Sequence, residues 1–193
     1  MGFTRFAALE APQLAPGYGL RSYCPGDEDA WLAILSTGEF GEWDRTRLEL
    51  ILNSGRAPLP LAGIFFATVD DRPVGTACTF LYRREAEEIS ELGWVAVLPP
   101  HQGHGLGLAV CRAVLGFARG LGHRYSFLLT EDFRLGAIKT YLRLGFQPEM
   151  VDASHPERWA ALWRALRGDE WGDASVLSLV LNQGFAIAQG QDW

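Results

Sequence analysis

The amino-acid sequence predicts an α/β (α+β) fold: a mixed, mostly antiparallel central sheet flanked by helices. Three observations predict it. β-rich runs follow one another across tight turns, most plainly Gly63–Val69 and Val74–Tyr82 around Asp70-Asp71-Arg72-Pro73. Apolar residues at helical spacing recur in the stretches before and after those strands. One strand runs through Pro99-Pro100 and a glycine-rich loop directly into a long amphipathic segment. The 193 residues suffice for one domain with a substantial core.

Residues 1–16, with Pro12 and Pro16, have no sustained periodicity and read as a lead that is either ordered on contact or loose. Tyr18 to Tyr23 reads as a short strand closed by Pro25-Gly26. Asp27, or a neighbour, is placed to cap a helix through Trp31, Leu32 and Leu35. A second helical stretch runs from Asp44 to Leu52 and stops at Asn53-Ser54-Gly55. The hairpin of residues 63–82 follows, then the strand Ile89–Val97. After the loop, Leu108, Cys111, Leu115 and Ala118 share one face of a helix that ends near Gly120 and Gly122. Tyr125–Leu129 is a fifth strand. Ala137, Ile138, Tyr141 and Leu142 face one way on a helix ended by Gly145, and Phe146–Val151 is a sixth strand. The last helix, 156–166, carries Trp159 and Trp163 one turn apart, as a pocket lining or, in the expected reading, as burial against the sheet. The main domain is read as 17–166, with a tail at 167–193 whose apolar stretch, Val176–Leu181, fits strand or helix.

Charge and composition exclude several functions. The net charge of −6 comes with no basic run, which argues against nucleic acid as the partner. No apolar run reaches the roughly 20 residues needed to cross a bilayer. The beginning of the chain has neither a secretion signal nor a myristoylation motif, so a cytoplasmic location is expected. Cys24, Cys78 and Cys111 are widely spaced; the latter two read as core residues, with no metal site expected. A homodimer is left open.

The segment Glu91–Leu121 carries the chemistry. Glycines let the backbone approach an anion, and the first helical turn offers unpaired N–H groups at a positive dipole end, an arrangement suited to a diphosphate. A Walker loop is excluded because Gly105-Leu106-Gly107-Leu108 lacks the Lys and the hydroxyl residue. A dinucleotide fingerprint is excluded because Leu108 stands where its third glycine belongs. The spacing Gln102-x-x-Gly105-x-Gly107, preceded by Trp94-Val95-Ala96-Val97-Leu98-Pro99, resembles the acyl-CoA signature of the GNAT superfamily of N-acetyltransferases. A second stretch, Ala137 and Tyr141 followed by Leu144-Gly145-Phe146, resembles that family's downstream signature.

The resemblance implies a GNAT-type fold over about residues 18–150 and acetyl-CoA as the acyl donor. It implies that the backbone of Val95, Ala96 and Val97 holds the pantetheine arm and steadies the oxyanion. The N–H groups of Gln102, Gly103, His104, Gly105, Leu106 and Gly107, with Leu108, would hold the diphosphate. Tyr141 would protonate the departing thiolate; read without the family, it packs on its helix face. Arg134 stands where the family often has Asn, and could contact a coenzyme phosphate or pair with Asp132. Strand alternation puts Ile89, Glu91, Gly93, Val95 and Val97 on one side. Glu91 is then either the general base or a strand-end carboxylate facing water, with Glu88 in reserve. Arg112 and Arg119 read as solvated. The acceptor would be a small-molecule or peptide primary amine, and Glu39, Phe40, Glu42, Trp43 and Asp44 would shape its pocket or simply form a solvated helix start. The alternative function is a CoA-binding regulatory module without turnover.

Overall fold

Most strands and helices take the places their patterns predict in a computed structural model of the chain, which describes residues 1–37, 41–52, 59–84 and 87–166. The described chain divides into two compact units: Phe3–Leu129, and Met1–Gly2 together with the residues from Thr130 on.

The sheet strands are β1 (Gly2–Phe3), β2 (Gly19–Ser22), β3 (Ile64–Val69), β4 (Arg72–Arg84), β5 (Glu87–Val97) and β6 (Tyr125–Phe127), in the spatial order β1-β6-β5-β4-β3-β2. Neighbours from β2 to β5 are antiparallel, and β5 and β6 are parallel. The β3–β4 turn explains its own sequence. Val69 pairs with Arg72, leaving Asp70 (φ 47°) and Asp71 (φ 63°) as a two-residue loop with both φ angles positive. That geometry matches the twist of the flanking strands, and aspartate is among the few side chains that tolerate it.

Helices α1 (Glu28–Ser36) and α2 (Arg45–Leu52) precede β3, and α3 (Leu106–Gly120) follows β5. Adjacent residues of β3 report the two faces. Phe66 meets Trp31 of α1, whereas Phe65 meets Phe117 of α3. Trp31, Ile34, Leu35, Ile64, Phe66 and Cys78 form the core on the α1 face. On the other face, Leu106, Val110, Cys111, Val114 and Leu115 of α3 are buried. Cys78 and Cys111 are thus free core thiols, as expected.

In the second unit, α4 (Leu135–Leu144) packs with α5 (His155–Leu166). Ile138, Trp159, Leu162, Trp163 and Leu166 form its core, so the tryptophan pair is buried, but in a cluster with α4 and not against the sheet as expected. Gly145, at φ 98°, ends α4 with the N–H of Phe146 donating to the Tyr141 carbonyl at 3.0 Å.

Of its two readings, the lead takes the ordered one: Phe3 and Phe6 are buried and meet edge to face at 4.9 Å between ring centroids. Three further expectations need correction. Arg112 and Arg119 are not simply solvated. Arg112 pairs with Glu10, and Arg119 donates to the carbonyls of Phe6 and Leu9, so both tie the lead to α3. The sixth strand shrinks to one bridge between Gly2 and Gln147. Asp27 stands at the N-cap of α1 without capping it, because its carboxylate is taken by Arg21 and the Cys24 N–H. The tail stretch Val176–Leu181 lies outside the described residues.

Candidate active site

The loop between β5 and α3 is shaped by its own chain. The Leu98 N–H donates to the Val74 carbonyl at 2.8 Å, and Pro99–His101 forms one tight turn. Gln102 Nε2 then donates to the Val97 carbonyl at 3.0 Å, fastening the loop to the end of its strand. Gly103 (φ 79°) and Gly105 (φ 74°) take left-handed conformations that other residues adopt at a cost of about 1–2 kcal/mol. His104 folds back so that Nδ1 lies 2.9 Å from the Gln102 carbonyl and donates to it. His101 is held from the other side by the Tyr18 hydroxyl, 3.2 Å from its Nδ1.

The Gln102 N–H donates to the Pro99 carbonyl at 3.3 Å, which corrects the expectation that it joins the anion seat. Among the described residues the backbone N–H groups of 103–108 have no acceptor, and the Ala109 N–H, donating to the Gly105 carbonyl at 3.1 Å, is the first of α3 to find one. No atom lies within 4 Å of where a Cβ would stand at Gly103, Gly105 or Gly107. Leu106 is fully buried and anchors the helix start in the core. An open run of unpaired donors at a helix N-terminus is a seat for an anion, and a diphosphate suits its length and charge.

The neighbouring edge of β5 is open too. Pairing with β6 covers Ile89, Ser90 and Glu91 against Tyr125, Ser126 and Phe127 and goes no further, so the strands part just past Glu91. On the β4 side, Cys78 pairs with Gly93 but Thr76 pairs with Ala96, so Trp94 and Val95 together oppose Ala77. This bulge carries Trp94 at φ 49°, a strained value for a tryptophan. The Trp94 ring is held by Trp31, Trp43 and Phe80 at 5.6, 5.0 and 5.0 Å between centroids. The extra residue also resets the alternation. Ala96, not Val95 or Val97, shares the Cys78 core face, which corrects the expectation that Glu91, Val95 and Val97 point one way.

Glu91 is half-buried, paired with Phe80 across β4 and with Phe127 across β6. Its Oε2 accepts a 2.5 Å hydrogen bond from the Tyr82 hydroxyl. Sequence reasoning missed Tyr82, although the hairpin register that pairs it with Ile89 could have shown it. Burial, and secondarily the charge of Glu91, push the Cys78 thiol well up, keeping it a neutral core group. The reserve carboxylate, Glu88, is exposed and paired with Arg83.

In the acceptor segment, Glu42 is exposed while Trp43 is buried in the core. Asp44 caps α2, accepting the Arg47 N–H at 2.7 Å, so the expected helix start is present there. Glu39 and Phe40 lie outside the described residues. In the second unit, Tyr141 is buried on α4 and meets Phe146 at 6.1 Å between centroids. Arg134 opens α4 with its guanidinium 5.5 Å from the Phe133 ring centroid, and Asp132 is gripped by Arg158 through two bonds of 2.7 and 2.8 Å.

Known proteins resemble this chain in sequence and fold. A mycothiol acetyltransferase from Nocardia farcinica is 30% identical over 162 residues, covering 77% of this chain and 53% of that protein. The chain spans about half the length of the curated relatives it matches. The crystal structure of a GCN5-related N-acetyltransferase from Sphaerobacter thermophilus aligns with a TM-score of 0.60 at 25% identity, over 75% of this chain and 45% of that one. The NatC complex bound to Gag peptide and CoA shares the fold alone, with a TM-score of 0.59 at 13% identity over 68% of this chain and 86% of that one. The sequence model of the acetyltransferase (GNAT) family matches residues 28–146, which contain the open loop, the bulged strand and α4 up to its closing glycine. The chain belongs to the GNAT acetyltransferase family.

Proposed function

We propose that the chain transfers an acetyl group from acetyl-CoA to a primary amine by direct attack. One observation carries the reading: the run of N–H groups at residues 103–108 that have no acceptor of their own. Those amides hold the coenzyme diphosphate, Gln102 keeps the loop on its strand, and Arg134 adds a charge contact to a phosphate. Val95, Ala96 and Val97 lie along the open edge past Glu91 and run beside the pantetheine arm, with Gln102 already occupying one lone pair of the Val97 carbonyl. A backbone N–H near Val95 or Ala96 steadies the thioester oxygen as charge develops.

Glu91 takes a proton from the acceptor ammonium, freeing the nitrogen lone pair. The amine nitrogen bonds to the thioester carbon, and the carbon–sulfur bond breaks. Tyr141 gives its hydroxyl proton to the leaving thiolate and regains one, through water, from the acylated nitrogen. The proton on Glu91 passes to solvent, leaving the amide and the free thiol. With a phenol of ordinary pKa about 10 and a thiol near 8.5, that delivery is uphill by only about 1.5 pKa units, and the proton regained from the acylated nitrogen, a far stronger acid, offsets it. The GNAT-family membership and the acetyltransferase relatives support acetyl transfer. The acceptor stays at the level of a primary amine.

Thermal unfolding with millimolar CoA tests binding, and acetyl-CoA turnover tests chemistry. CoA is expected to raise the melting temperature of both the natural chain and Tyr141→Phe, with turnover in the variant at least about tenfold lower. No thermal shift would overturn the coenzyme assignment. A shift with full turnover in Tyr141→Phe would remove Tyr141 from the mechanism.

A further inference from the structure

Glu91 is not a lone carboxylate at the strand fork. The Tyr82 hydroxyl donates to its Oε2 at 2.5 Å, from the neighbouring strand and one register step away, since Phe80 pairs with Glu91 and Tyr82 with Ile89. The Tyr82 ring is fixed in turn, lying 5.7 Å from the Phe127 ring, and Phe127 is the β6 residue paired with Glu91 where the two strands part. Tyr125 stacks beside Phe127 at 6.5 Å between centroids. Both tyrosines and Phe127 are half-buried, so the rings wall off the carboxylate without sealing it.

We infer that Tyr82 is a positioning residue for acyl transfer. By occupying Oε2 it locks the Glu91 side chain and turns Oε1 toward the opening as the oxygen that receives the ammonium proton. A carboxylate free to rotate on an open strand edge would present neither oxygen reliably, and small misplacements of a base are costly in rate. Tyr82 transfers no proton itself: its hydroxyl hydrogen stays on oxygen while Glu91 gains and then releases one. The inference rests on Glu91 acting as the base.

The test is a double-mutant cycle of Tyr82→Phe and Glu91→Gln on the full chain. It uses whichever amine, from a panel of arylamines, polyamines, amino acids and peptides, gives the fastest CoA release. Tyr82→Phe keeps the ring on Phe127 and removes only the donor. The expected result is a kcat about tenfold lower with the KM for acetyl-CoA unchanged, and no further loss when the change is added to Glu91→Gln. A CoA-induced thermal shift equal to that of the natural chain shows that the variants remain folded. Glu91→Gln that is impaired, together with a silent or fully additive Tyr82→Phe, overturns the role of Tyr82 alone. Full activity in Glu91→Gln overturns the base assignment and the role of Tyr82 with it. Release by no amine in the panel overturns the N-acyl reading itself.

Discussion

Asp27 stands where an N-cap belongs and is used as an electrostatic clamp. Two bonds from the Arg21 guanidinium, at 2.7 and 2.9 Å, and one from the Cys24 N–H, at 2.7 Å, hold its carboxyl below the usual carboxylate range. Arg21 also reaches Asp71 in the β3–β4 turn, so one side chain joins β2, the start of α1 and the hairpin. Because the folded pKa is depressed, the stabilisation is complete above the unfolded value of about 3.9 and disappears as pH falls through the lower folded value. Asp27→Asn is therefore expected to melt at a lower temperature than the natural chain at pH 7, by an amount worth roughly 1–3 kcal/mol. The gap should close as pH drops below about 4. Melting temperatures measured against pH check this, and a gap that stays constant would contradict it. The sequence offered Asp27 as a cap because Asp-x-x before a helical run reads that way. Only tertiary structure brings Arg21 close enough to claim it.

At the scale of elements, the lead shows how much two aromatic residues do in a stretch without periodicity. Phe6 is buried and its carbonyl takes a bond from Arg119 of α3. Phe6→Ala is expected to destabilise the fold by about 3 kcal/mol, read as a lower denaturant midpoint. A midpoint unchanged by the substitution would mean that the lead adds nothing to the fold. Periodicity located the hairpin, the glycine-loop helix α3 and both helices of the second unit, because their apolar faces repeat at 2.0 or 3.6 residues. It failed where no repeat exists: at Phe3 and Phe6, which meet each other, and at 146–151, where a β-rich composition finds one bridge partner, Gly2. The bulge was hidden for the same kind of reason. Trp94-Val95-Ala96 reads as plain strand, and only the register against β4 reveals the extra residue that moves Ala96 to the core face.

At the scale of the whole molecule, the chain brings an open donor run, a parted strand edge and a held carboxylate into one unit, while Tyr141 and Arg134 lie in the other. The diphosphate loop was visible in the sequence because glycine spacing encodes backbone conformation directly, and Gly103 and Gly105 do take positive φ. The orientation of Glu91 was not visible, since its hydrogen-bond partner sits nine residues away on another strand. Among the described residues no helix is long and apolar enough to cross a membrane. The central claim is that residues 103–108 offer their amides to a diphosphate. Titration of the ¹⁵N-labelled chain with CoA, followed by amide NMR, tests it most directly. The amide signals of residues 103–108 are expected to move most and saturate together, and Gly105→Glu, which places a carboxylate in the cradle, is expected to abolish the response. Saturable CoA binding that leaves those amides unmoved, or persists undiminished in Gly105→Glu, would contradict it.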